Sequence, residues 1–349
     1  MTIRVGIAGY GVVGQRRGLS IQANPDLEII AVTDIKYGGD GVTSGGIPYH
    51  RSYEDLFTYG LDALFVSLPN YLAAEASIAG LQNGLHVFCE KPPGRNVDET
   101  QSVIDEELKH PELRLKYGFN HRYHRSVQEA KQLIDSGELG PVLNLRGVYG
   151  KSRIIPFAGN WRSERDQAGG GILLDQGIHI LDLIRYFAGD FEEVQSFVSN
   201  SFWHHDVEDN AYALMRSVNG AIAMVHSSAT QWRHRFRLEV TLRDGLIELE
   251  GILSGTKSYG EERLLVARRE EELDIGSFRE QVTLYLDDNS WQEEVDEFSM
   301  LIKSGLPVTN GSSYDALKAM EMVYRVYNAD PVWRNKFMNK PLGNPDTSR

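Results

Sequence analysis

At 349 residues the chain is longer than one hydrophobic core usually organises, so two domains are expected, and 41% hydrophobic with 24% charged residues is the composition of an ordinary folded protein. A formal net charge of −13 argues against nucleic acid or an anionic membrane surface as partner, because both call for basic groups to neutralise phosphates. No apolar run is long enough to span a bilayer, the N-terminal MTIRVGIAGYGVVG passes straight into a strand-and-turn pattern, and the lone Cys89 excludes an intrachain disulfide, so a cytoplasmic protein is expected.

From the N-terminus, short apolar runs at Arg4–Ala8, Leu27–Thr33, Ala63–Ser67 and His86–Cys89 alternate with helical patterns, and Leu113–Gly118 is a further strand. Runs that are apolar on both faces belong to a buried parallel sheet covered by helices. A charged helix at Ser126–Ser136 stops at Gly137, and the pattern then changes. Strands are expected at Val142–Gly150, Glu193–Ser201, Asn210–Ser217, Ala221–Ala229, Phe236–Leu242 and Gly245–Glu250, with turn signals at Val218-Asn219-Gly220 and Arg243-Asp244-Gly245. Helical spacing recurs at Ile172–Phe187, Trp291–Lys303 and Ser313–Asn328, and the polar tail Gly343–Arg349 is expected to fray.

Gly9-Tyr10-Gly11-Val12-Val13-Gly14 follows the first strand and opens a helix. In that context Gly9 makes the tight turn, Gly11 lets the backbone approach a pyrophosphate, Gly14 permits close helix-to-strand packing, and the helix N-terminus receives the anion. About twenty residues on, Asp34 ends the second strand, where an acid can hydrogen-bond the adenosine ribose and repel a 2′-phosphate. NAD is therefore the expected cofactor, with NADP kept open by the nearby Lys36. The glycine-rich Gly38–Gly46 reads as a flexible connection, since no strand directly precedes it.

Two further motifs complete a pattern: Cys89-Glu90-Lys91-Pro92 after the fourth strand and Asp175-Gln176-Gly177-Ile178-His179 opening a helix. Together with the glycine fingerprint, Gly118–Tyr123, Asn160-Trp161-Arg162 and Val207-Glu208-Asp209, they resemble the glucose–fructose oxidoreductase/inositol dehydrogenase/rhizopine catabolism (Gfo/Idh/MocA) family along nearly the whole chain. The resemblance implies a Rossmann parallel sheet over residues 1–119 and an α+β domain on a largely antiparallel open sheet over 120–349, with substrate bound between them. It also implies that Lys91, Asp175 and His179 surround the carbon of a sugar or cyclitol from which nicotinamide takes a hydride. A catalytically silent NAD(P)-binding regulatory protein is the rival reading. The intact Lys91, Asp175 and His179 argue against it.

Alcohol oxidation needs a protein base for the hydroxyl proton, and an imidazole with an ordinary pKa of about 6.5 suits His179 to that role. Asp175, four positions earlier, is expected to share a helix face with His179 and orient it, with Asp182 extending that face and Leu174, Ile178 and Leu181 packing on the other side. The Lys91 ammonium can stabilise developing alkoxide charge. Glu90 either meets the nicotinamide end of the cofactor or bonds local backbone. Expected cofactor contacts are completed by Val12, Val13, Ile35, Leu68, Pro69, Asn70, Trp161 and Arg162, and substrate contacts by Asn120, Arg122 and Lys151. No metal is expected: adjacent histidines in Trp203-His204-His205-Asp206 would point to opposite faces of a strand. Gln231–Arg235 reads as a substrate-side loop or a subunit contact. Val142, Leu145 and Val148, with Ala223 and Val225, are read as apolar material for an uncovered sheet face, which implies a homodimer or homotetramer.

Overall fold

A computed structural model describes residues 2–153, 161–254, 257–269, 279–340 and 342–343; Asn160 and the tail beyond Gly343 lie outside the described residues. The first seven strands are β1 (Ile3–Ala8), β2 (Leu27–Thr33), β3 (Gly41–Val42), β4 (Pro48–His50), β5 (Ala63–Val66), β6 (His86–Glu90) and β7 (Leu115–Gly118). They form one sheet in the order β3-β4-β2-β1-β5-β6-β7, parallel throughout except where β3 meets β4. Helices α1 (Val12–Ala23), α2 (Asn70–Gln82) and α3 (Val97–Glu107) cross between strands, so Val5, Ile7, Leu64, Phe65, Val87 and Phe88 are all fully buried. The sheet faces are apolar on both sides because both are covered.

After α4 (Arg125–Asp135) the chain builds a second sheet from β8 (Val142–Gly150), β9 (Phe191–Ser199), β10 (Asn210–Ser217), β11 (Ile222–Ser228), β12 (Arg235–Leu242), β13 (Gly245–Glu250), β14 (Glu262–Arg268) and β15 (Arg279–Tyr285). Its order is β15-β14-β13-β12-β8-β11-β10-β9, antiparallel except for the central β8–β11 pair. A single turn α5 (Arg165–Ala168) and a π-helical segment, Leu173–Gly177, lead into α6 (Ile178–Ala188). Gly147 lets α6 press onto β8: a Cβ there would lie 2.7 Å from Ile180 Cγ1.

Two C-terminal helices follow, α7 (Ser290–Ser304) and α8 (Ser313–Ala329), the latter opened by a reciprocal Ser312/Asp315 capping box. Helix α7 packs back on the first sheet, where Val295 and Phe298 share a core cluster with Ile3, Val5, Ile7, Phe65 and Phe88. Arg17 of α1 is fully buried beneath it, between the rings of Phe88 and Trp291 at 4.5 and 4.2 Å. Among the described residues, no helix is long and apolar enough to cross a membrane.

Three expectations need correction. Gly38–Gly46 is not a plain connection: Gly41–Val42 pairs with Pro48–His50 and extends the sheet edge beside β2. Strands β14 and β15 were not anticipated, because charges crowd their alternation and β15 buries none of its side chains. Finally, Leu145, Ala223 and Val225 are 1% or less exposed and lie on the face covered by α6. A strand alternates with period two, so 142, 145 and 148 cannot all share one face.

The open face carries a different set. Across the register Phe197, Tyr212, His226 and Val148 form one row, and Leu214 and Met224 lie in the next. Phe197 is 80% exposed and Tyr212, which stacks on His226 at 3.9 Å, is 49% exposed.

Candidate active site

Where β1 ends, Gly9 turns the chain with φ of +88°, a conformation that glycine adopts without strain. A Cβ at Gly14 would lie 1.9 Å from the Gly9 carbonyl oxygen, so the helix can approach the turn only as glycine. At Gly11 the nearest atom to such a Cβ is Asp34 Oδ2 at 3.7 Å, which leaves the backbone open on that side. Helix α1 begins with neither a side-chain cap nor an acid in its first turn. Its first N–H groups, around Val12 and Val13, are thus available to an anion.

Asp34 stands at the rim of a cavity of about 260 Å³ lined also by Thr33, Ile35, Arg51, Tyr53 and Leu68. Its Oδ1 accepts the Lys36 backbone N–H at 3.0 Å, and the Lys36 ammonium lies 3.4 Å from Oδ2 while donating to the Tyr10 carbonyl at 3.1 Å. Pro69 caps the start of α2, and Asn70 joins that helix to α5 by donating to the Ala168 carbonyl at 2.7 Å. The turn, the uncapped helix and the carboxylate beside a cavity together fit a dinucleotide.

Lys91 follows β6 directly, and its ammonium donates to the Asp175 backbone carbonyl at 2.6 Å, 3.7 Å from the Asp175 carboxylate. Arg162 Nε approaches the same carboxylate at 3.4 Å, and Gln176 donates to its other oxygen at 3.1 Å. Burial alone would raise the Asp175 carboxyl, but Arg162, Lys91 and Lys151 hold it well below the usual carboxylate range. Burial lowers Lys91 against the pull of Asp175, and it takes Lys151 down to about 8. His179 is 3% exposed, and burial with the charges of Lys91 and Lys151 holds its imidazole well below its ordinary value. It is therefore neutral at neutral pH, a proton acceptor rather than a group poised between both forms.

The expected Asp175–His179 pairing is replaced by another arrangement. The segment around Asp175 is π-helical, which widens the turn and breaks the i,i+4 register the pairing relied on. His179 instead stacks on His121 at 3.7 Å, its Nδ1 without a hydrogen-bond partner, and His121 Nε2 lies 3.1 Å from the Tyr149 hydroxyl. Tyr259 lies against both Tyr149 and His234, at 5.4 and 5.2 Å between ring centres. Sequence reasoning gave Tyr149 and Tyr259 no role, and touched His121 and His234 only as members of the Gly118–Tyr123 motif and the Gln231–Arg235 run. Tyr149 could have been found by strand parity, being two positions from Gly147 on the covered face. His234 and Tyr259 come from loops with no local pattern.

Other expected site residues are committed elsewhere. Arg122 is 3% exposed and binds Asp182 through two bonds of 2.6 and 2.8 Å and Asp315 at 3.0 Å, so neither it nor Asp182 faces the Lys91 cluster. Asn120 bonds Ser290 at 3.3 Å and contacts its neighbour His121. Glu90 pairs with Arg17 at 2.6 Å, and Arg17 also holds Glu294 at 2.6 Å. Trp161 lies beneath the Arg162 guanidinium at 4.4 Å. Among the described residues, the grouping of acids and histidines close enough to share a cation is Asp40, His50 and Asp55, away from the Trp203–Asp206 run.

Comparison with known proteins agrees with this geometry. Residues 3–119 match the oxidoreductase family with an NAD-binding Rossmann fold, and residues 127–248 match the GFO/IDH/MocA C-terminal domain. Myo-inositol 2-dehydrogenase of Thermotoga maritima is 26% identical over 317 residues, covering 87% of this chain and 90% of its own. Levoglucosan dehydrogenase of Pseudarthrobacter phenanthrenivorans is 26% identical over 271 residues, 65% of this chain and 67% of its own. A solved levoglucosan dehydrogenase in complex with NADH superposes with a TM-score of 0.82 at 21% identity, covering 95% of this chain and 98% of the other. The chain belongs to the Gfo/Idh/MocA family of oxidoreductases, and its N-terminal part is that family's NAD-binding Rossmann domain.

Proposed function

We propose that this protein is a dehydrogenase that oxidises a secondary alcohol of a sugar, cyclitol or sugar derivative, with Lys91, Asp175 and His179 around the reacting carbon. The observation that carries the reading is the convergence of Lys91, Lys151, Arg162, Asp175 and a neutral His179 at the C-terminal edge of the first sheet, where ligands of open α/β sheets bind. Bound nicotinamide supplies the hydride acceptor. The neutral His179 imidazole accepts the hydroxyl proton. Lys91, held close by the Asp175 carbonyl, offers its remaining N–H groups to the oxygen as negative charge develops. Names of relatives such as myo-inositol 2-dehydrogenase and levoglucosan dehydrogenase support a polyhydroxylated substrate. The test is a screen of cyclitols, free sugars, sugar phosphates and nucleotide sugars for NADH absorbance. A protein that binds NADH yet reduces NAD with no member of any class would return the reading to a silent sensor.

Asp34 is assigned the cofactor preference, since a carboxylate there accepts from the adenosine ribose hydroxyls and already faces the Lys36 ammonium. NADH is expected to bind more tightly than NADPH in a fluorescence titration. Tighter binding of NADPH would move the recognition to Lys36 and to Arg51 across the same cavity.

The open sheet face is proposed as a homodimer or homotetramer contact. Phe197, Leu214 and Met224, all at least 46% exposed, would otherwise leave apolar surface in water across adjacent strands. Light scattering at micromolar concentration is expected to give a multiple of the chain mass, reduced by Leu214→Glu. A monomeric parent protein would refute this assignment.

A further inference from the structure

The Val207-Glu208-Asp209 motif has no part in the chemistry above, yet Glu208 is fully buried and carries the most complete set of partners near the site. Its Oε2 accepts the Gly171 backbone N–H at 2.7 Å, and its Oε1 accepts the Leu173 N–H at 2.9 Å and the Tyr327 hydroxyl at 2.8 Å. The intervening Ile172 N–H reaches the Glu208 carbonyl at 3.2 Å. Three successive N–H groups at the start of a helix, which have no partner within it, are thus taken by one residue. The fit leaves no slack, because a Cβ at Gly171 would lie 2.1 Å from the Glu208 carbonyl oxygen and one at Gly170 2.2 Å from the Tyr327 hydroxyl.

We propose that Glu208 is a positioning residue for the reaction: by gripping Gly171 and Leu173 it fixes the π-helical turn whose Asp175 carbonyl receives the Lys91 ammonium. The inference rests on the assignment of Lys91 and Asp175 to the reacting centre. The path is one turn long: Asp175 N–H donates to the Gly171 carbonyl at 2.8 Å, and Lys91 donates to the Asp175 carbonyl at 2.6 Å. Two carboxylate oxygens on two N–H groups fix both the rotation and the axial position of the helix start. A misplacement of about 1 Å at a reacting group can cost on the order of 10²-fold in rate. A carboxylate is a costly choice for a merely structural plug, since a buried charge needs full compensation. Burial pushes the Glu208 carboxyl up to about 7 despite its donors. That shift makes the ionised group a stability cost that grows as pH rises from the unfolded carboxyl range towards 7, so an uncharged replacement need not weaken the fold at pH 8.

Glu208→Gln keeps the shape but sets an amide N–H₂ against one of the two backbone N–H groups. With a substrate from the screen at pH 8, it is expected to lower kcat by roughly 10- to 100-fold, with NADH affinity within about twofold and cooperative unfolding retained. In a Lys91→Met background the same change is expected to cost at least about fivefold less, because part of its effect is the position of the ammonium. Tyr327→Phe, which removes one donor and leaves the backbone grip, is expected to lower kcat by about threefold and serves if the glutamine variant does not fold. A kcat within twofold of the parent in the folded variants, or full multiplicativity with Lys91→Met, would overturn the proposal. Lys91→Met retaining parental turnover would instead sink the site assignment itself.

Discussion

Lys91→Met and His179→Ala are each expected to lower turnover by roughly 10²–10⁴-fold while NADH affinity stays within about twofold. The ammonium touches the Asp175 carbonyl and the imidazole stacks on His121, whereas the phosphate cradle lies at Gly9–Gly14, so neither change reaches the dinucleotide phosphates. The acid limb of the rate profile for alcohol oxidation should lie below pH 6.5, because burial and the charges of Lys91 and Lys151 keep His179 unprotonated there. Asp175→Asn is expected to be comparably severe, since the carboxylate faces Arg162, Gln176 and Lys91 rather than His179. Its charge raises both lysines, so its removal should move the alkaline limb to lower pH, with Lys151 passing below about 8. Near-parental turnover in both Lys91→Met and His179→Ala would place the reacting carbon elsewhere.

Arg122→Ala is expected to destabilise the fold by about 3–5 kcal/mol, the usual cost of leaving one member of a buried ion pair alone. Asp182 is fully buried and its carboxylate is held by Arg122 through both oxygens, so truncation strands it. Asp315 fares better, because Arg185 still reaches it at 2.8 Å. The Tyr186 ring, 4.6 Å from the guanidinium, would lose its contact as well. The double variant Arg122→Ala/Asp182→Ala should recover much of the loss in denaturant unfolding, since no unpaired charge remains. A single-variant loss below about 1 kcal/mol would show that water reaches Asp182 and that the pair is not a closed one.

The difference between Arg122 and Lys91 marks how far the sequence could be read. Five parallel strands of the first sheet, the glycine turn and the place of Asp34 follow from short-range rules of period and spacing, and the structure shows them there. Lys91, Asp175 and His179 were singled out through the motifs of the family resemblance, which sit at element ends. Arg122 was not, since its nearest acids are 60 and 193 positions away and no local pattern announces them. The reading of Asp175 failed for a different reason: a π-helical turn is invisible to a rule that assumes four residues per step. Strand β14 was hidden because its inward Leu264 and Val266 are flanked by Glu and Arg that look like a solvated run.

The return of α7 to the first sheet bears on the order in which the chain acquires its structure. The aromatic group of Phe65, Phe88 and Phe298 closes across more than 200 positions of sequence, and Arg17 gains Glu294 from that same helix. A nascent chain that has emerged only through the first seven strands lacks Glu294, the second carboxylate on Arg17, and the apolar cover that Val295 and Phe298 give the sheet face. Such a face is sticky, and contacts of this separation form late because the loop they close is long. The core of the nucleotide-binding sheet thus closes only after α7, synthesised about 170 positions after β7, has been made.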